Sequence, residues 1–306
     1  MAATAACVFG LGLPSAQAVI IYGGDGSGND SAPPGGTWWN YLGRRGGGSA
    51  VYLGEYGGTH WAITAYHVGA GDVIFGSQSY SYIPGTAVRI PNPDTSLTDM
   101  VLFQLDGGPA LSRLPIADAT PPTGADLIFV GSGRDRAADL TGWQVDTSQD
   151  PWVWTEVSPD QADVVGYHLQ STRTLRWGPN NLDGAELATV NPYGTTETFY
   201  GDWDPVDGEG QVTPGDSGGG VFYENGGEWE LAGVILYRGI YKDQPSDTAV
   251  VGNRSYAGDL AEYRSFILGA VPEPEFFGWP FALGALLFAG ARRLRRREKA
   301  SKSARN

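Results

Sequence analysis

The stretch Gly208-Glu209-Gly210-Gln211-Val212-Thr213-Pro214-Gly215-Asp216-Ser217-Gly218-Gly219-Gly220-Val221-Phe222 decides how the rest of the chain is read. Ser217 stands between Gly215-Asp216 and a run of three glycines. Residues without a Cβ let two backbones approach closely and leave successive N–H groups free to converge on one point, which suits an oxyanion. A serine hydroxyl alone is a weak nucleophile, so this reading requires a base and a third group that orients the base. The competing reading is a simple Gly-Asp-Ser turn ahead of a strand beginning at Val221.

Histidine supply tests the idea, because the chain has only three: His60, His67 and His168. His67 ends the run His60-Trp61-Ala62-Ile63-Thr64-Ala65-Tyr66-His67, an apolar strand that would hold a base on a rigid element. Asp99 opens the segment 99–105, in which Met100, Leu102 and Gln104 alternate with Val101, Phe103 and Leu105, the pattern of a mostly buried strand. A carboxylate there can accept the Nδ1–H of His67.

Three rivals compete with this assignment. Gly-Asp-Ser-Gly-Gly also fits the nucleophile elbow of α/β-hydrolases, but that arrangement needs a histidine after the serine and none follows Ser217. The order Asp99, His168, Ser217 matches subtilisin formally; Tyr167-His168-Leu169 lacks a helix-start signal, and a glycine-rich chain offers few helices for such a fold. The third rival, a fold whose triad has decayed into a surface module that holds a polymer, stays open.

Thr-Ala-Tyr-His at 64–67, Thr-Asp-Met-Val-Leu-Phe-Gln-Leu at 98–105 and Gly-Asp-Ser-Gly-Gly at 215–219, in the order His, Asp, Ser, resemble the trypsin-like (chymotrypsin-fold) serine peptidases over roughly residues 20–270. The resemblance implies an all-β fold of two six-stranded antiparallel barrels with a short C-terminal helix. An N-terminal arm and first barrel would span 19–120, with His67 and Asp99, and the second barrel and helix 121–270, with Ser217. It implies catalysis by His67, Asp99 and Ser217, an oxyanion hole from the N–H groups of Gly215 and Ser217, a protein or peptide substrate and no cofactor. The specificity pocket would have Gln211 at its base and Tyr237 and Arg238 on its wall. Arg238 stands where the family usually has a small residue. It is expected to turn outward, as long charged side chains usually do; turned inward it would narrow the pocket and could pair with an acidic side chain. Val19-Ile20-Ile21-Tyr22-Gly23-Gly24 resembles the start of activated family members, whose freed N-terminus would pair with Asp216; local backbone N–H groups are the alternative partners of that carboxylate.

Composition agrees with this picture. Glycine at 46 of 306 residues, with 20 prolines, argues for many short strands and tight turns rather than long helices. Net charge is −14; eight of the 20 basic residues fall in 292–306 with one acidic residue, so residues 1–291 carry 12 basic against 33 acidic groups, a formal −21. A body so acidic repels nucleic acid. With three scattered histidines and the single cysteine at Cys7, no zinc site is indicated.

Along the chain, residues 1–18 read as a signal peptide, with small-x-small at Ala16-Gln17-Ala18 but no positive start. Cys7 lies within it, so a chain cut there holds no disulfide. Residues 23–48 read as an irregular arm anchored by Trp38-Trp39-Asn40-Tyr41. Residues 106–124, rich in proline, read as the crossover between barrels. A hairpin is expected around Glu224-Asn225-Gly226-Gly227, and a helix over 259–267 from the spacing of Leu260, Tyr263 and Ile267. Finally, 271–306 combines Pro272-Glu273-Pro274, an uncharged run at 276–291 and an arginine cluster, and resembles a PEP-CTERM sorting signal. That resemblance implies an exported, surface-associated protein held by a transmembrane helix until an exosortase-type enzyme removes the tail; a plain membrane anchor is the alternative.

Overall fold

The computed structural model describes residues 19–271. The signal peptide expected at 1–18 and the membrane segment expected at 276–291 lie outside the described residues. Among the described residues no helix is long and apolar enough to cross a membrane.

The first half is a closed barrel built from runs rich in Val, Ile, Leu and aromatics. In ring order its strands are Thr59–Ala65, Gly48–Tyr56, Leu42–Arg45, Val73–Phe75, Gln78–Tyr82 and Leu97–Asp106, the last pairing back with the first; Val88–Pro91 adds to its outer edge. Closure leaves none of these six strands with an open edge. The pairing that closes the ring sets Ile63 opposite Leu102 and Ala65 opposite Met100, all fully buried. It also fixes where the functional residues emerge, because Tyr66 N–H donates to Asp99 O at 2.9 Å as the first strand leaves the sheet.

The second half is larger. A seven-stranded antiparallel sheet runs in the order Arg176–Asn181, Asp126–Gly131, Gly220–Asn225, Glu228–Gly239, Arg254–Asp259, Gly194–Asp202, Gly184–Val190. It curls until its first and sixth strands meet, where Asn180 Nδ2 donates to Asp202 O (2.9 Å). Beside it lies a second sheet of Arg134–Arg136, Val164–Arg173, Thr141–Asp146 and Val153–Val157, with Thr248–Val250 added on Val164–Arg173. Thus the second half carries a layer beyond six strands. Ile20, Tyr167, Leu169, Trp203 and Ala249 form a small core of their own there.

The expected crossover is real: no strand lies between Asp106 and Asp126, apart from a single bridge of Ile116 to Leu231. The hairpin at Gly226-Gly227 has both glycines at positive φ. The helix Leu260–Ala270 is capped by Asp259, whose Oδ1 accepts from Ala261 N at 3.1 Å. Leu260, Tyr263 and Ile267 are its buried face, and they join the core cluster of the first barrel. Tyr263 Oη donates to Asn92 Oδ1 (2.8 Å) and accepts from Glu197 N (2.8 Å), so one phenol ties the two halves.

The arm docks through its aromatics. Trp38, 2% exposed, stacks on Phe222 at 5.7 Å between centroids and meets Trp177 and Trp229 edge-on at 6.2 and 6.0 Å. Replacing a buried aromatic by alanine typically costs about 3–5 kcal/mol. Trp38→Ala is therefore expected to lower unfolding free energy by about 3 kcal/mol or more in denaturant titration, and a loss below about 1 kcal/mol would show that the arm is not held this way.

Candidate active site

His67 follows directly from the end of Thr59–Ala65, and Asp99 sits near the start of the neighbouring strand Leu97–Asp106. The Asp99 carboxylate is fully buried and grips His67 twice: Oδ2 lies 2.6 Å from Nδ1, and Oδ1 accepts the His67 backbone N–H at 2.9 Å. The second bond fixes the backbone from which the imidazole projects, so the ring is held at both ends. Asp99 is fixed in turn, since its own N–H donates to Oγ1 of the buried Thr196 in the second half (3.0 Å). The ring of Tyr193 lies over His67 with centroids 5.5 Å apart.

Ser217 comes from the other half and shares one cleft with His67, of about 300 Å³, lined also by Val190, Val212, Thr213, Pro214, Ile235, Leu236, Ile240 and the Tyr193 ring. Its Oγ donates to Leu236 O at 3.1 Å, and among the described residues no hydrogen bond joins it to His67. Of the glycines after it, Gly218 allows the close approach the sequence implied, whereas the N–H groups of Gly218 and Gly219 are taken by Ile235 O (2.7 Å) and Asp216 O (2.8 Å). Gly218 has φ +85°, and a Cβ there would sit 2.1 Å from both Ser49 O and Thr64 Oγ1.

The N–H groups of Gly215 and Ser217 have no acceptor among the described residues, and their orientation follows from the carbonyls of the same peptides. Pro214 C=O accepts from Arg134 N (2.9 Å) and Asp216 C=O from Gly219 N (2.8 Å). In a trans peptide the N–H points opposite to the C=O, so both donors turn away from these bonded sides. Gly215 itself has φ +104°, a conformation that favours glycine.

Asp216 is fully buried and accepts from Gly133 N (2.7 Å), Thr213 N (2.7 Å) and Thr213 Oγ1 (3.2 Å). The partners are thus the local backbone groups rather than the N-terminal segment. Val19 and Ile20 are buried elsewhere, with Ile20 paired to Gln211 and Val19 O accepting from Asn29 Nδ2 (2.9 Å). Burial pushes the Asp216 carboxyl up to about 6, against the pull of its three donors and Arg173.

The three expected specificity residues part company. Gln211 is fully buried, donates to Val212 O and Arg254 O, and does not line the cleft; Thr213, two residues on, lines it instead. Arg238 turns inward rather than outward. It lines the cleft, and its Nη1 donates to Thr248 O at 2.6 Å. Burial, with the like charge of Arg134 adding to it, lowers its guanidinium to about 10. Tyr237 also lines the cleft and stacks on Tyr256 at 4.3 Å. Tyr193 and Val190 were not foreseen: Asn191-Pro192-Tyr193-Gly194 signals a turn, but nothing local says that the turn folds over His67.

The other histidines are accounted for elsewhere. His60 Nδ1 lies 2.7 Å from Tyr52 Oη, and His168 Nε2 lies 3.0 Å from the exposed Glu156 on the outlying sheet. Among the described residues no group of His, Cys, Asp and Glu is arranged to hold a metal.

No family model matches the chain, and no curated protein matches it. Similar solved structures include the Rv3671c protease of M. tuberculosis in its active form, at 14% identity over 87% of this chain and 96% of that one, TM-score 0.45. Its inactive form aligns at 15% identity over 78% and 93%, TM-score 0.45. The murine norovirus NS6 protease aligns at 14% identity over 73% and 94%, TM-score 0.39.

Among the acids of this half, burial raises Asp216 and Asp135 to about 6 and Glu209 to about 7. A group with a raised folded pKa binds its proton more tightly folded than unfolded, so its contribution to stability is present at low pH and lost as pH rises through the folded value. Melting temperature is therefore expected to fall as pH is raised from about 5 to about 7.5, and Asp216→Asn should flatten part of that slope. A melting temperature that climbs over this range would contradict the burial of these carboxyls in the folded state.

Proposed function

We propose that this protein is an exported serine endopeptidase that hydrolyses peptide bonds through an acyl-enzyme. The observation that carries the reading is the imidazole of His67, clamped by the buried Asp99, lining one cleft with Ser217. Ser217 Oγ attacks the substrate carbonyl while its proton passes to His67 Nε2. The tetrahedral oxyanion is held by the two N–H donors, a device in which one lost donor typically costs about 100- to 1000-fold in kcat. The intermediate collapses, the C–N bond breaks, and His67 returns the proton to the leaving amine. Water then repeats the sequence on the acyl ester and frees Ser217. Asp99 holds the tautomer and stabilises the imidazolium.

One observation favours a second reading. Ser217 Oγ rests on Leu236 O instead of His67, as it would in a non-catalytic surface module that retains the fold. Catalytic hydrogen bonds are often unformed without substrate. Labelling with a fluorophosphonate decides between the readings: modification of Ser217 supports the enzyme, and an unlabelled, folded protein supports the module. In a peptide-cleavage assay, Ser217→Ala and His67→Ala should each lower kcat by about 10⁵- to 10⁶-fold, and the double substitution by little more, because the groups act as a unit. Activity that survives His67→Ala would sink the assignment of the base.

Export and tail removal rest on the sequence alone. An exosortase-type enzyme would cut near Pro272-Glu273-Pro274, leaving the peptidase at the cell surface or outside the cell. Intact-mass measurement on protein from its own host is expected to show loss of the residues after about Pro274; a mass that retains Arg292 to Arg297 would leave only the membrane anchor.

A further inference from the structure

Apart from His67, Arg238 is the one charged residue among the described residues lining the cleft, and no carboxylate lines it. One fork nitrogen is satisfied, by Thr248 O. The other donors of the guanidinium have no protein acceptor among the described residues. Its charged neighbour is another cation, Arg134, whose own carboxylate partner Asp247 is engaged at 2.6 Å on the exposed side. A half-buried guanidinium without a carboxylate is an uncompensated charge, and it becomes favourable when an anion arrives.

Register places that charge beside the reacting bond. Arg238 is two residues beyond Leu236 on the strand Glu228–Gly239, and Leu236 O touches Ser217 Oγ. Two strand residues span about 7 Å, and Leu236 and Arg238 both line the cleft, which is within reach of the side chain adjoining a carbonyl held at Ser217. In a chain with 12 basic against 33 acidic residues through position 291, a cleft whose lining holds Arg238 and no carboxylate favours an anionic ligand there.

We propose that the cleft selects a peptide with Glu or Asp immediately before the scissile bond, the carboxylate being bound by the free donors of Arg238. This rests on the hydrolytic reading above. A guanidinium–carboxylate pair in a partly desolvated site discriminates strongly against the uncharged isostere, because the amide cannot neutralise the cation.

The test compares fluorogenic peptides differing only at that position, Glu against Gln and Asp against Asn, with Lys and Phe as further members, cleaved by the purified full chain. The acidic member of each pair is expected to show a kcat/KM about 10- to 100-fold higher than its amide. Arg238→Gln should bring the ratio to within about threefold of unity, and Arg238→Lys should keep part of it. If neither variant folds, the wild-type ratio decides alone. Equal cleavage of acid and amide, or a preference for Lys or Phe, by protein whose Ser217 takes up fluorophosphonate overturns the acidic preference and leaves the peptidase standing. A ratio unchanged in Arg238→Gln overturns the role of Arg238. Protein that neither labels nor cuts any peptide removes the hydrolytic reading, and this inference falls with it.

Discussion

The site depends on how one residue of the first barrel, Ser49, is bonded into the loop that carries Ser217. Ser49 N–H donates to Ser217 O (2.8 Å), its hydroxyl donates to Gly215 O (3.3 Å) and accepts from Ser132 N (2.8 Å), and its carbonyl accepts from Thr64 Oγ1 (2.6 Å). Ser49 is fully buried, so each of these groups would be costly to leave unmade. His67 and Ser217 are on different halves, and this node is the short route between them. Thr64 is three residues before His67, and Gly215 and Ser217 flank Asp216. Gly218 is what lets the halves come so close, since any Cβ would strike both Ser49 O and Thr64 Oγ1.

Buried charges near the cleft are used chiefly to hold backbone rather than to pair with one another. Asp216 takes two N–H groups and a hydroxyl, and Arg173 takes the carbonyls of Ser132 and Gly215. Arg136, fully buried over Tyr167, donates to Ile21, Gly23, Gly24, Ala137 and Ala138 carbonyls. Each side chain thereby fixes several peptide units of a glycine-rich chain that has little regular structure to hold them. The cost of desolvating these groups is what raises the Asp216 carboxyl and lowers the Arg173 guanidinium.

The parts of this arrangement that were legible in the sequence are those set by local chemistry. An apolar strand ending in the only well-placed histidine, an aspartate opening a buried strand and a serine among glycines identify His67, Asp99 and Ser217, and the structure brings all three to one region. Trp38 as an anchor, the glycine hairpin and the helix after Asp259 followed from the same local logic. What was not legible depends on long-range register. The outlying sheet rests on Val164–Arg173 pairing with both Thr141–Asp146 and Thr248–Val250, separated by many residues. Gln211 faces away from the cleft because it pairs with Ile20, and in an extended strand a pairing that fixes one side chain inward fixes its neighbours the other way. Arg238 turned in because Thr248 O was there to meet it, and residue 248 is brought close only by that same sheet.

In this structure Asp216 is held by Gly133 and Thr213, with Val19 and Ile20 packed elsewhere. A freed amine reaching Asp216 would have to displace Gly133 and Thr213 N–H groups that already satisfy a fully buried carboxylate. It would also have to pull Val19 and Ile20 from a packed core, where Ile20 and Ile21 are registered against Gln211 and Gly210. The glycine conformations, the Ser49 node and the two free N–H groups are present together with Asp216 held by its own backbone. For the proposed reaction, Ser217 Oγ must give up its bond to Leu236 O before its proton can pass to His67.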